Sequence, residues 1–228
     1  SSGNGIGVLP SVVVTRPSTT ATETVGIKPN IVVQGDRLRQ KRETTLGDTL
    51  MHELGVTSTN FGPGAGRPII RGQDGDRVRV MENSIGTGDI SVISPDHAVA
   101  TETLNASRIE ILRGPSTLLY GSGISGGVVN VVNGRIPDRL YQTPQANFEG
   151  RFNSALEERN GALNASGSMG RMSWNIEGMK RKTGDIHIPG RANPSDPDSS
   201  IGFVRNSAVD SSTLSAGASY VGERGFAG

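Results

Sequence analysis

Arg108-Ile109-Glu110-Ile111-Leu112-Arg113-Gly114-Pro115-Ser116-Thr117-Leu118-Leu119-Tyr120-Gly121 leads into a glycine-rich run and then into Val128-Val129-Asn130-Val131-Val132. The apolar, β-branched ends of this stretch read as two strands, Ser107 to Leu112 and Val128 to Val132. Between them, Gly121 to Gly127 has enough glycine for a phosphate-cradling loop. It lacks the Lys-Ser/Thr of such a loop, and a strand follows where a helix should begin. Turn geometry and close backbone packing account for these glycines. Upstream, Pro68 to Arg71 and Arg77 to Met81 read as two strands joined by the tight polar turn Gly72-Gln73-Asp74-Gly75-Asp76. Leu46, Leu50 and Leu54 recur every four residues, which predicts a short helix stopped by Gly55. The sum is a small α+β domain of about 100 residues with a modest core and many loops.

Composition agrees. The chain has 228 residues, 32 of them Gly and 12 Pro, with 33% hydrophobic and 4% aromatic residues. That balance suits a turn-rich, strand-rich protein and not a helical bundle. A net charge of +1 gives no electrostatic reason to expect nucleic acid as a partner. With no cysteine there is neither a disulfide framework nor thiolate chemistry. No apolar run approaches the ~18 residues of a membrane-crossing helix, and Ser1 to Gly7 has none of the features of a signal peptide.

After Leu140 the pattern changes to strict alternation. Phe148, Gly150, Phe152, Ser154 and Leu156 alternate with polar residues, as do Ala165, Gly167 and Met169, then Met172, Trp174 and Ile176, then Leu214, Ala216, Ala218 and Tyr220. Four strands, apolar on one face and polar on the other, match a transmembrane β-barrel. A soluble antiparallel sandwich alternates in the same way. The connections favour the barrel: a turn around Asn160-Gly161, a tight turn at Gly170-Arg171, and a long polar loop at about 182–213 punctuated by Pro189, Pro194 and Pro197. Four strands cannot close a barrel, so the chain is expected to be the N-terminal part of a longer protein.

Three motifs in order resemble the plug domain of TonB-dependent outer-membrane receptors. They are Thr45-Leu46-Gly47-Asp48-Thr49-Leu50 with Gly55-Val56, then Pro68-Ile69-Ile70-Arg71-Gly72 with Arg77 to Asn83, then Arg108 to Gly121. The resemblance covers roughly Ile31 to Val132. It implies an α+β plug followed by antiparallel transmembrane β-barrel strands, part of a plugged barrel of about 22 strands. The expected domains are an N-terminal periplasmic segment, 1–36, a plug, 37–141, and the first four barrel strands, 142–228. With the plug on the periplasmic side, strand one runs outward. Gly170-Arg171 is then periplasmic, the long loop extracellular, and Trp174 and Tyr220 lie near the periplasmic rim, where an aromatic girdle is expected.

The resemblance also implies partners and site residues. Val12, Val13, Val14 and Thr15 form a β-prone patch in a polar N-terminal region. They read either as an incidental patch in a disordered terminus or as the TonB box, which adds as a strand to the energising TonB complex. Arg71, Glu110 and Arg113 sit where family members lock the plug to acidic residues of the barrel wall, and guanidinium suits such buried contacts; ion pairs within the plug are the alternative. Asp96-His97 is similar to the pair that zinc-importing members use on the plug, and carboxylate with imidazole suits zinc. The other ligands would come from further barrel strands. His187, with Asp196 and Asp198, reads as a capture surface for cations or as solvated loop. His52-Glu53 lacks the second histidine of a zinc-protease helix, since position 56 is valine.

No catalytic constellation is present, so an enzyme is not expected. The expected function is TonB-dependent import across the outer membrane of a Gram-negative bacterium by a monomer contacting outer-membrane lipid. Zinc is the expected cargo, and a ferric siderophore, haem or cobalamin is the alternative. A signal-transducing receptor would need a further periplasmic domain, for which 1–36 is too short.

Overall fold

A computed structural model describes residues 29–59, 62, 64–88, 90–93, 97, 99, 101–154 and 156–228. The plug begins with β1 (Ile31–Gln34), α1 (Gly35–Lys41), α2 (Leu46–Leu50), β2 (Val56–Ser58) and β3 (Pro68–Ile70). It continues through β4 (Val78–Glu82), β5 (Ile85–Gly86), β6 (Ala106–Leu112) and β7 (Gly127–Asn133). Its main sheet has the order β1-β6-β7-β4-β5, antiparallel except for β4 beside β7. One face of that sheet carries Val33, Val78, Val80, Ile109, Ile111, Val129 and Val131, which pack on Leu38 of α1 and on Leu46 and Leu50 of α2. Met81, Leu112, Ile124 and Val128 form a smaller second cluster.

α2 is short for identifiable reasons. The Thr45 hydroxyl caps its start by accepting from the Asp48 backbone N–H at 3.1 Å, and Gly55 turns the chain away at φ +70°. Leu46 and Leu50 are buried as the spacing predicts. Leu54 is not: it lies beyond the helix and is 87% exposed. The expected pairing of Pro68–Arg71 with Arg77–Met81 also fails. β3 pairs with β2, and β4 joins the main sheet. Positive φ at Arg71, Gly72 and Gly75 and a 3-10 turn over Gly75–Arg77 send the chain out of one sheet and into another. The boundary drawn at residue 36 also moves, because β1 is bonded to β6 across four residue pairs and belongs to the plug.

Behind the plug stand β8 (Gln145–Asn153), β9 (Glu158–Met169), β10 (Met172–Lys182), β11 (Ile186–Arg191), β12 (Ile201–Val204), β13 (Asp210–Gly222) and β14 (Gly225–Ala227). Five of these form one antiparallel wall in the order β14-β13-β10-β9-β8. The Gly170-Arg171 turn is as predicted, joining Met169 to Met172 with Gly170 at φ +60°. The turn expected at Asn160-Gly161 lies earlier, between Asn153 and Glu158. Asn160 and Gly161 are inside β9, opposite Arg151 and Gly150. The long polar loop contains a hairpin of its own, β11 with β12. Among the described residues no helix is long and apolar enough to cross a membrane.

One close approach fixes how the plug leaves for the wall. Gly217, on the plug-facing side of β13, has no room for a side chain, because an added Cβ would lie 1.9 Å from the Arg135 carbonyl oxygen. Gly217→Val is therefore expected to lift the 134–141 connection off the wall, as in other overpacked sites costing about 1–3 kcal/mol. Hydrogen exchange should show faster exchange of the amides in 134–141, with the far end of the plug unchanged.

Candidate functional site

The wall is inverted relative to a soluble sheet. Cross-strand register puts Phe148, Leu163, Ile176 and Leu214 on one face, with Met169, Met172, Trp174 and Tyr220 further along it. That face is open: Phe148 is 77% exposed, Met169 81% and Leu214 82%. The opposite face carries Glu158, Ser166, Ser173, Asn175, Glu177, Arg181 and Ser219, all buried, and several of these side chains bond directly to the plug, as follows.

The contacts between plug and wall concentrate on Arg42-Glu43-Thr44, just before α2. Arg42 donates to Glu149 at 2.6 Å and to the Ala106 carbonyl at 3.1 Å. Thr44 donates its hydroxyl proton to Glu158 at 2.7 Å. Arg181 donates to the Thr44 carbonyl at 2.6 Å and to Glu102 at 3.2 Å, and Arg151 reaches the Arg42 carbonyl. Burial pulls the Arg42 guanidinium below its ordinary pKa, and the Glu149 carboxylate opposes that shift. Near Gly170-Arg171, Ser173 donates to the Arg139 carbonyl at 2.8 Å and Ser219 to the Pro137 carbonyl at 2.5 Å. The apolar component is small: Leu104 of the plug packs on Ala162 and Met179. In the middle of the wall Glu177 accepts from Asn175 at 2.7 Å and from Asn164 at 3.2 Å.

Arg71, Glu110 and Arg113, the residues expected to lock plug to wall, make these contacts among the described residues. Glu110, on a central strand of the plug sheet, accepts from Arg108 at 2.7 Å and Asn130 at 3.0 Å. Arg113 donates to the Leu54 carbonyl at 2.6 Å. Burial, with Arg71 beside it, lowers the Arg113 pKa, and Glu53 opposes that. Arg71 stands near Gly55. These are contacts within the plug. Sequence reasoning missed Arg42, Thr44, Glu102, Glu158 and Arg181; the available signal was the position of Glu158 and Arg181 on the polar face of the alternation.

His97 is exposed on the segment after a 3-10 turn at Ile90–Val92, and Asp96 lies outside the described residues. His187 is exposed on β11, opposite Phe203 of β12. Asp196 accepts from the Asp198 backbone N–H at 3.0 Å within the loop's own turns. Among the described residues no group of three or more His, Asp or Glu is gathered to hold a metal. Val12, Val13, Val14 and Thr15 lie outside the described residues.

Residues 26–128 match the family described as TonB-dependent Receptor Plug Domain. Over 110 residues the chain is 34% identical to the ferric enterobactin receptor PirA of Pseudomonas aeruginosa, covering 43% of this chain and 14% of that one. Over 140 residues it is 28% identical to a hemin receptor of Yersinia pestis, covering 59% and 20%. The chain thus spans a fifth or less of the length of these two relatives. In fold it is similar to the siderophore receptor PirA of Acinetobacter baumannii, with a TM-score of 0.65 at 18% identity over 90% of this chain and 31% of that one. The fold is thus an α+β plug followed by antiparallel barrel strands, with polar groups turned inward and apolar groups outward, and over residues 26–128 the chain is similar to the plug domain of TonB-dependent receptors.

Proposed function

We infer that the chain serves TonB-dependent import across the outer membrane, with a metal chelate as cargo. The observation that carries the transport reading is the inverted wall. Its exposed aliphatic and aromatic face suits lipid, and its polar face is occupied by a separately folded plug. A plug held mainly by hydrogen bonds and ion pairs can be displaced and reseated, because water replaces each such contact at a net cost of about 0.5–3 kcal/mol, the upper half applying where a partner is charged. No covalent chemistry is involved, and an enzyme reading has no support.

Order along the chain gives a sequence of events. A pull on Val12–Thr15 by the TonB complex would load β1 first, which is an edge strand with four paired residues. The load would pass next to Arg42 and Thr44, the main attachment to the wall. Substrate would bind on the opposite, extracellular side of the plug. The chelate class is supported by the relatives, which are named as receptors for ferric enterobactin and hemin. Zinc is the second reading. It rests on Asp96-His97, of which His97 is exposed.

Three outcomes are expected. Calorimetry on the full-length receptor in detergent should show tight binding of one of ferric catecholate siderophore, hemin or cobalamin, retained in His97→Ala; tight zinc binding abolished by that change would replace the chelate reading with zinc. Gln34 and Arg108 are paired residues of β1 and β6, and the chain has no other thiol. A disulfide from Gln34→Cys with Arg108→Cys should stop uptake but not binding, and reductant should restore uptake; uptake through the oxidised form would show that β1 stays in place. Arg181→Met removes the bonds to Thr44 and Glu102, about 1–3 kcal/mol if its partners are left unsatisfied, and amides 42–45 should then exchange roughly tenfold faster.

A further inference from the structure

Glu149, Arg151, Glu158 and Arg181 are charged side chains of the wall that bond to the plug. Three of them also have a partner within the wall. Arg151 donates to Glu149 at 3.4 Å, and Asn160 donates to Glu158 at 2.9 Å. Arg181 differs. Its buried guanidinium donates to the Thr44 carbonyl at 2.6 Å and to Glu102 at 3.2 Å, and both acceptors belong to the plug. Across the sheet it faces Asn160 and Ser211, neither of them charged. Among the described residues its buried Nε has no hydrogen-bond partner.

Glu102 supplies the plug's side of this contact. One carboxylate oxygen accepts from Arg181 and, at 3.3 Å, from the Ser211 hydroxyl, so it bridges β10 and β13 where they flank the long loop. Seen from the wall, this is an anion site with a carboxylate already in it. A guanidinium offers its planar fork of donors, and a hydroxyl stands directly opposite on the next strand. The occupant is tethered to the part that moves. When the plug shifts, Glu102 and the Thr44 carbonyl leave together. The wall then keeps a guanidinium without a counter-charge, in a lumen whose low-dielectric walls strengthen its attraction for an anion.

We propose that Arg181 and Ser211 form an anion site on the import path, which Glu102 fills in place of cargo while the plug is seated and which an anionic cargo takes over when the plug moves. The proposal rests on the import reading, which supplies the movement. Its chemistry narrows the cargo to chelates that present anionic oxygens, the groups a carboxylate imitates; a bare cation would be repelled. Arg151 does not serve in the same way, because Glu149 stays beside it on β8 when Arg42 leaves.

A thiol beside Arg181 reads the local charge directly. Ser211→Cys places one opposite it, and this chain supplies no other. In cells making the full-length receptor, labelling by the anion sulfonatoethyl methanethiosulfonate is compared with labelling by its trimethylammonium analogue. Each rate is corrected for reaction with free thiol and for the receptor without the cysteine. With TonB inactive, Glu102 neutralises Arg181 and the two reagents should label alike. With TonB active, and ferric catecholate siderophore, hemin and cobalamin supplied in turn, the anion should label roughly tenfold faster, as one unpaired charge close to the thiol dictates. Glu102→Gln should give the same preference without TonB, Arg181→Gln should remove it and Arg181→Lys should keep it. Heat-modifiable migration confirms that each variant is folded. Equal labelling in the Glu102→Gln variant, as when Arg181 turns to Glu158 instead, would overturn the proposal, and so would a preference that survives Arg181→Gln. A preference raised by Glu102→Gln but never changed by TonB would keep the anion site and overturn the import reading.

Discussion

Everything in this structure follows from the wall having nowhere to put its polar groups except against the plug. An unpaired buried amide, hydroxyl or carboxylate costs several kcal/mol in an apolar setting, and the other face of the wall is built for lipid. Asn164, Asn175 and Ser215 satisfy Glu177 from within the wall. Ser173 and Ser219 instead donate to carbonyls of the 134–141 connection, and Arg181 to the Thr44 carbonyl of the plug. The plug is thus part of the wall's hydrogen-bonding complement, and the wall would hydrate if the plug left. That reciprocity explains why the interface is polar although both partners are well packed elsewhere.

It also explains the division of labour inside the plug. The plug core is apolar and local to its own sheet and two helices, with Val33, Ile109, Ile111 and Val129 fully buried. Among the described residues, the buried apolar cluster that joins plug to wall is Leu104 with Ala162 and Met179. A plug with a larger apolar seam would be harder to release, since burying an aliphatic side chain contributes about 1.5–3 kcal/mol with no water-bonded substitute. Stability and attachment are carried by different interactions, and each can change without the other.

How much of this was legible in the sequence depended on the range of the interaction. The alternation after Leu140 was readable because a strand's two faces repeat every two residues, and the residues assigned to the apolar face of a wall strand are on it, except that Ser154 and Leu156 fall in the turn after β8. Gly170-Arg171 was readable as a local turn. Asn160-Gly161 misled because Asn-Gly favours turns in isolation, whereas here Gly161 faces Gly150 within a ladder and the reversal falls on Glu157 at φ +48°. Leu54 misled because a four-residue spacing persists past the last hydrogen-bonded turn. Arg42 and Thr44 were not readable, since their partners Glu149 and Glu158 are more than a hundred positions away. Arg71, Glu110 and Arg113 drew attention as motif residues, and the contacts seen for Glu110 and Arg113 are internal to the plug.

The short segment from Arg42 to Thr45 is where these ranges meet. Arg42 and Thr44 bond the wall, and Thr45 caps α2. Gly66 lies so close behind Thr45 that an added Cβ would be 2.0 Å from the Thr45 hydroxyl oxygen. The next residue, Arg67, is buried, donates to Ser91 at 2.9 Å and approaches Asp74. Ser91 belongs to the turn that precedes the segment bearing His97. Wall, helix cap and outer segment are therefore joined by a continuous set of contacts. Such continuity becomes coupling only where one joint has two arrangements of similar free energy. The packed joints at Thr45–Gly66 and Arg67–Ser91 do not fit that requirement, because the first has no free volume and the second would strand a buried guanidinium. The wall contacts of Arg42 and Thr44 come nearer to it: they are buried only between plug and wall, so separating the two opens both partners to water, which takes over each bond at about 0.5–3 kcal/mol.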